Sequence, residues 1–204
     1  GHHVAAEWHD GCMLVPQLPP PTDLAGTPRD MLAELERHVG TATAAGWCAD
    51  LLEGADPHDY VGMLHYLGGR ATQGVLDGWW GPLYWVRTWG ARGLRYVWSD
   101  TAAPAVVAGL GDEAWRPAEM CLKVSWLREI GEAGPGAARL IDHELPRVRA
   151  AAVRCLGRVG DTEHVEIVEA ALDDEHADVR RAAARALTEM ANRLDLELDP
   201  PDIV

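Results

Sequence analysis

Apolar residues recur every three or four positions through the second half of the chain. Within 146–160 the positions Val148, Ala151, Ala152, Cys155, Leu156 and Val159 fall on one face at about 100° per residue, the pattern of an amphipathic helix and not of a strand. Pro146 and Gly160 bracket it, proline inside the start and glycine past the end. A second stripe, Val165, Val168, Ala171 and Leu172, follows with Asp161 or Thr162 as its N-cap. Nearer the start, Thr27-Pro28 opens a helix through Leu32, Leu35 and Val39 that stops at Gly40. Pro19, Pro20 and Pro21 mark the segment before it as an extended lead-in. Asp195 to Pro201 cannot continue a helix.

The stripes repeat. Val86-Arg87-Thr88-Trp89-Gly90-Ala91-Arg92-Gly93-Leu94, Val148-Arg149 through Arg154-Cys155-Leu156 and Val179-Arg180 through Arg185-Ala186-Leu187 align without a gap at offsets of 62 and 31 residues. Each begins Val-Arg, has a second Arg five positions on and a Leu two further. A degenerate copy ends Cys121-Leu122-Lys123-Val124-Ser125-Trp126-Leu127, and a weaker one covers 57–68. The Leu positions 67, 94, 127, 156 and 187 give a period near 31. Two helices per period make a hairpin that buries its apolar face only by stacking on a neighbour. The sequence predicts an all-α fold, a right-handed α-solenoid of four or five antiparallel hairpins. Its parts are a lead-in (1–27), a helical cap with a degenerate repeat (28–81), the repeats proper (82–193) and an acidic tail (194–204).

The segment 145–157 and its echo from Asp178 resemble the second helix of a HEAT repeat, in particular the short HEAT-like repeats first associated with phycobilisome lyases. The resemblance implies an α-solenoid. It does not imply lyase activity, because such repeats occur in adaptors of many kinds.

Composition narrows the partners. The net charge of −14 disfavours nucleic acid and anionic membranes, and no apolar run approaches the ~20 residues that cross a bilayer. Gly1-His2-His3 reads as the remnant of an expression tag. Four scattered cysteines without paired spacing suit reduced thiols and a cytoplasmic setting. The charge is uneven: residues 1–80 hold eleven carboxylates against Arg29, Arg37 and Arg70, and the other fifteen basic residues lie from Arg87 onward. The 146–160 helix carries four arginines and no acid, whereas 161–178 carries eight carboxylates and no Lys or Arg.

The HEAT resemblance places second helices on the concave side and implies a ladder of Arg92, Arg154 and Arg185 along that groove. Arg158 and Trp85 extend it, aromatic and Arg side chains together being the composition of interface hot spots. The Arg after each Val, at 87, 149 and 180, serves either as a strut to the next repeat or as a groove contact. Trp89 takes the place of Ala151 and belongs to the core, with Gly90 and Gly93 leaving room for its ring. The reading is a non-catalytic scaffold or adaptor that binds another protein through an acidic segment, without cofactor or metal. Deoxyhypusine hydroxylase shares the repeats, but its metal site needs His-Glu pairs on facing helices, and here His143-Glu144 stands alone while His164 and His176 lack partners. The alternative is a DNA-binding HEAT-like alkylpurine glycosylase, with Asp112 or Asp77 as its candidate carboxylate and one lysine in the whole chain as the mismatch.

Overall fold

A computed structural model describes residues 17–197 and the backbone of 8–9 and 12–13. The tag remnant at 1–3 and the tail residues 198–204 lie outside the described residues. The protein is helical, with two-residue strands β1 (Trp8–His9) and β2 (Cys12–Met13) paired antiparallel in a stretch whose sequence carries no readable period. No strand occurs between 82 and 193. Two compact units divide the chain, Gly1–Ala105 and Val106–Val204.

In the first unit, α1 (Pro28–Val39) starts where the sequence places it. The Thr27 hydroxyl accepts the Asp30 amide, Pro28 sits at N1, and Gly40 ends the helix at φ 84°, a left-handed conformation that favours glycine. Met31, Leu32, Leu35 and Val39 are the buried stripe. The proline lead-in is docked, since Tyr66 donates to the Pro19 carbonyl at 2.7 Å. Helices α2 (Thr41–Leu52), α3 (Val61–Gly68), α4 (Thr72–Leu76) and α5 (Tyr84–Gly93) complete the unit.

The glycines of α5 do not do what the sequence suggests. A Cβ on Gly90 would lie 2.5 Å from the Cys48 carbonyl oxygen and 2.9 Å from the Leu52 nitrogen, and one on Gly93 would lie 2.5 Å from the Cys48 sulfur. Both let α5 approach α2 closely. Room for the buried Trp89 ring comes instead from Gly68, where a Cβ would meet it at 2.5 Å.

The second unit holds α7 (Trp115–Arg128) and then two hairpins, α8 (Gly134–Leu140) with α9 (Pro146–Val159) and α10 (Val165–Ala170) with α11 (Ala177–Leu194), while α6 (Ala103–Gly109) crosses the boundary between the units. First helices have six or seven residues, second helices fourteen or more. Helix α9 packs on α7, α8 and α11, so Arg149, Ala150, Val153 and Gly157 are buried beyond its predicted stripe. A Cβ on Gly157 would lie 2.8 Å from the Ala186 Cα, which fixes a close α9 to α11 approach. At the far end Arg193 donates to the carbonyls of Gly157 and Gly160, satisfying acceptors that the end of α9 leaves open.

The degenerate repeat is two residues out of the register that its leucine suggests. Counting 31 back from Leu156 gives Ser125, which is fully buried, whereas Leu127 is 41% exposed. Among the described residues the Ser125 Oγ has no hydrogen-bond partner, in the core position that leucine fills in the other repeats.

Candidate functional site

The long helices α7, α9 and α11 lie side by side, with α9 packed on both of the others. Arg147 reaches Glu119 near the starts, and Arg158 reaches Glu189 near the ends. Residues seven apart share a helical face, so the outward surface is a grid. Its middle row is Lys123, Arg154 and Arg185, one cation per repeat at intervals of 31 residues. Arg154 and Arg185 are exposed and make no hydrogen bond or ion pair with the described residues. Lys123 is half-buried, with Nζ 3.0 Å from Glu119.

The cations of the rows on either side are engaged by carboxylates or aromatic rings. Buried Glu119 accepts both a two-pronged bond from Arg147, at 3.1 Å on each oxygen, and the Lys123 contact. The guanidiniums of Arg116 and Arg147 lie 4.4 and 4.8 Å from the Trp115 ring centroid, two cation–π contacts on one ring. On the other side Arg158 pairs with Glu189 and with Glu129 at 3.2 Å, and lies 4.6 Å over Trp126. Its bond to Glu189 raises its pKa further above the ordinary arginine value. Glu129 closes α7 in the left-handed region at φ 55°, a conformation that glycine adopts more readily, and its carboxylate there reaches Arg158.

The arginine after each valine has a different environment. Arg149 is buried and donates to the His143 and Glu144 carbonyls of its own turn, and through Nε and NH2 to Asp174 of the next repeat at 2.8 and 3.0 Å. That is the strut. The bond from Arg149 pulls the Asp174 carboxyl below its usual pKa. Arg180 makes the same two carbonyl bonds, to Asp174 and Glu175, yet is exposed. The interhelix turns are themselves built alike: Asp112, His143 and Asp174, 31 residues apart, each accept the amide two residues on. His143 thus does the work of an Asx turn. His164 accepts the Asp161 amide in a capping box, and His176 accepts the Asp178 amide as an N-cap.

Of the residues that sequence singled out, the face brings together Arg154, Arg158 and Arg185. Arg158 is committed to its two glutamates. Arg92 and Trp85 belong to the first unit. Arg92 is no exposed rung there: it is half-buried, donates to the Leu67 carbonyl at the end of α3, and burial lowers its pKa. Trp85 is half-buried in an aromatic cluster, 5.6 Å from Trp80 and 5.5 Å from Tyr84, and Trp79 is the exposed ring of this region at 72%. Lys123 was missed because the leucine at 127 set the register; counting 31 back from Arg154 finds it.

Candidate chemistry elsewhere is local. Asp77 accepts from the Gln73 amide at 2.8 Å and Asp112 from the Ala114 amide at 2.8 Å, so both act in the turns that carry them. Burial pushes the Cys48 and Cys155 thiols up to about 12, far from the thiolate a nucleophile needs. A cavity of about 360 Å³ in the first unit lies among Leu51, Pro57, Leu83 and Val86, with His58 at its edge bonded to Asp56 at 2.8 Å. Among the described residues no three His, Cys, Asp or Glu cluster as metal ligands would, and no helix is long and apolar enough to cross a membrane.

Residues 136–198 match the family model for HEAT repeats, a span that takes in most of α8 and all of α9, α10 and α11. No curated protein matches the chain.

Proposed function

Because residues 136–198 are HEAT-like repeats, a helical scaffold that often mediates protein interaction, we propose that this protein is a non-catalytic adaptor. It binds an acidic segment of another protein on the outward face of α7, α9 and α11. The observation that carries this reading is the middle row: two exposed arginines without an ion pair among the described residues and a lysine shared with Glu119, 31 residues apart in sequence, on a chain of net charge −14. Charges of one sign gathered on an otherwise opposite surface choose partners and speed encounter. Exposed Trp126 beside the row adds the aromatic component common at binding hot spots. Buried free thiols at Cys48, Cys121 and Cys155 suit work in the reducing cytoplasm.

The competing reading is the alkylpurine glycosylase. Fluorescence anisotropy with a labelled glutamate-rich peptide and a labelled DNA duplex, at physiological salt, separates the two. The adaptor binds the peptide saturably and leaves the duplex free. Tighter binding of the duplex, with release of an alkylated purine from it, overturns the proposal.

A further inference from the structure

Resting on that reading, we infer that the Lys123, Arg154 and Arg185 row recognises a polyproline II segment bearing a carboxylate at every third residue. Packed helices stand about 8–10 Å apart, and the Gly157 contact with Ala186 holds α9 and α11 near the short end of that range. A polyproline II chain advances about 3.1 Å per residue with three residues per turn. Side chains at i, i+3 and i+6 therefore point the same way about 9 Å apart, one for each repeat. A β-strand does not fit, since every third side chain faces away and every second one is only about 6.7 Å on. An α-helix could present carboxylates seven apart, about 10.5 Å, but its diameter of about 10–12 Å overruns the neighbouring rows.

A second observation points to the same ligand. Trp126 and Leu127 are 39% and 41% exposed, three and four residues beyond Lys123 along α7 and so beside the row, with one face of the Trp126 ring covered by Arg158 and the remainder open. An exposed tryptophan beside an extended path is the surface on which polyproline II prolines pack. The ligand is thus an acidic, proline-spaced segment laid across the helices, with its proline faces on Trp126 and Leu127 and its carboxylates on the cations.

The test uses the full chain and three labelled peptides in fluorescence anisotropy at physiological salt. The first is Glu-Pro-Pro-Glu-Pro-Pro-Glu. The second, Glu-Glu-Glu-Pro-Pro-Pro-Pro, has the same composition with clustered acids. The third is a fifteen-residue alanine-based helix with three glutamates spaced seven apart. The spaced peptide should bind at least about tenfold more tightly than the clustered one, and Arg185→Gln should remove that advantage. Equal affinity for the first two overturns the spacing inference while leaving the charged row as a binding face. Tightest binding of the helical peptide overturns the polyproline II assignment. Failure of all three to bind removes the acidic-partner reading as well.

Discussion

The two units solve one packing problem with different materials. In the first, helices are brought together by single complementary pairs: Gly68 under Trp89, Gly90 against the Cys48 carbonyl, Gly93 against the Cys48 sulfur. In the second, small residues recur on α9 and α11, Gly157 against Ala186 sets their close approach, and an arginine strut ties one turn to the next. The difference shows what a repeat gains. A residue that recurs in the same role can be exchanged between repeats and still work, and the face opposite the core is then free to vary. A one-off pair has no such latitude, so the first unit should be the more brittle of the two.

The largest effect expected on this account is at Gly90. Gly90→Val drives a branched side chain into the α2 backbone, where even a Cβ lies 2.5 Å from a carbonyl oxygen. The loss should be about 4 kcal/mol or more by chemical denaturation. A loss below ~1 kcal/mol would show that α2 and α5 adjust as easily as repeat helices do.

Next in size is the strut. Arg149→Met leaves Asp174 without its buried partner and should cost about 3 kcal/mol, whereas Arg180→Met, exposed and without a carboxylate, should cost under ~1 kcal/mol. The pair also predicts a pH dependence. Asp174 has a folded pKa below its unfolded value, so its contribution is full above about pH 4 and is lost as pH falls through the lowered folded value. Asp174→Asn should flatten the stability profile in that acidic window, and an unchanged profile would remove the strut from the account.

A smaller effect of opposite sign belongs to the degenerate repeat. Ser125→Ala removes a buried hydroxyl without a hydrogen-bond partner among the described residues, and should stabilise the protein by about 1 kcal/mol. Destabilisation would show that Ser125 has a bond its leucine-bearing counterparts never need.

How much of this was legible followed from the same contrast. Helix α9 could be read to its ends, because Pro146, Gly160 and a clean stripe say in sequence what they do in space. The helix from Pro28 to Val39 was equally plain, its cap and stop being local. The partners of Gly68 and Gly90 were not, since each closes against a helix distant in sequence whose approach no local pattern encodes. Two arginines of the grid, 154 and 185, were found by period, but Arg92 was carried along by the same period into a unit where a carbonyl takes it up. The register error at Leu127 hid Lys123 and has a physical origin: the buried position there is a serine, so hydrophobicity pointed two residues away.

The central claim is that the middle row is for binding and the strut is for folding. Reversing two charges in one double variant, Arg154→Glu with Arg185→Glu, tests it most directly, with peptide affinity and melting temperature measured on the same preparation. Both side chains are exposed and make no ion pair with the described residues, so stability should shift by less than about 0.5 kcal/mol. Affinity for the acidic peptide should fall at least about a hundredfold. Affinity unchanged from that of the unmodified protein would contradict the account.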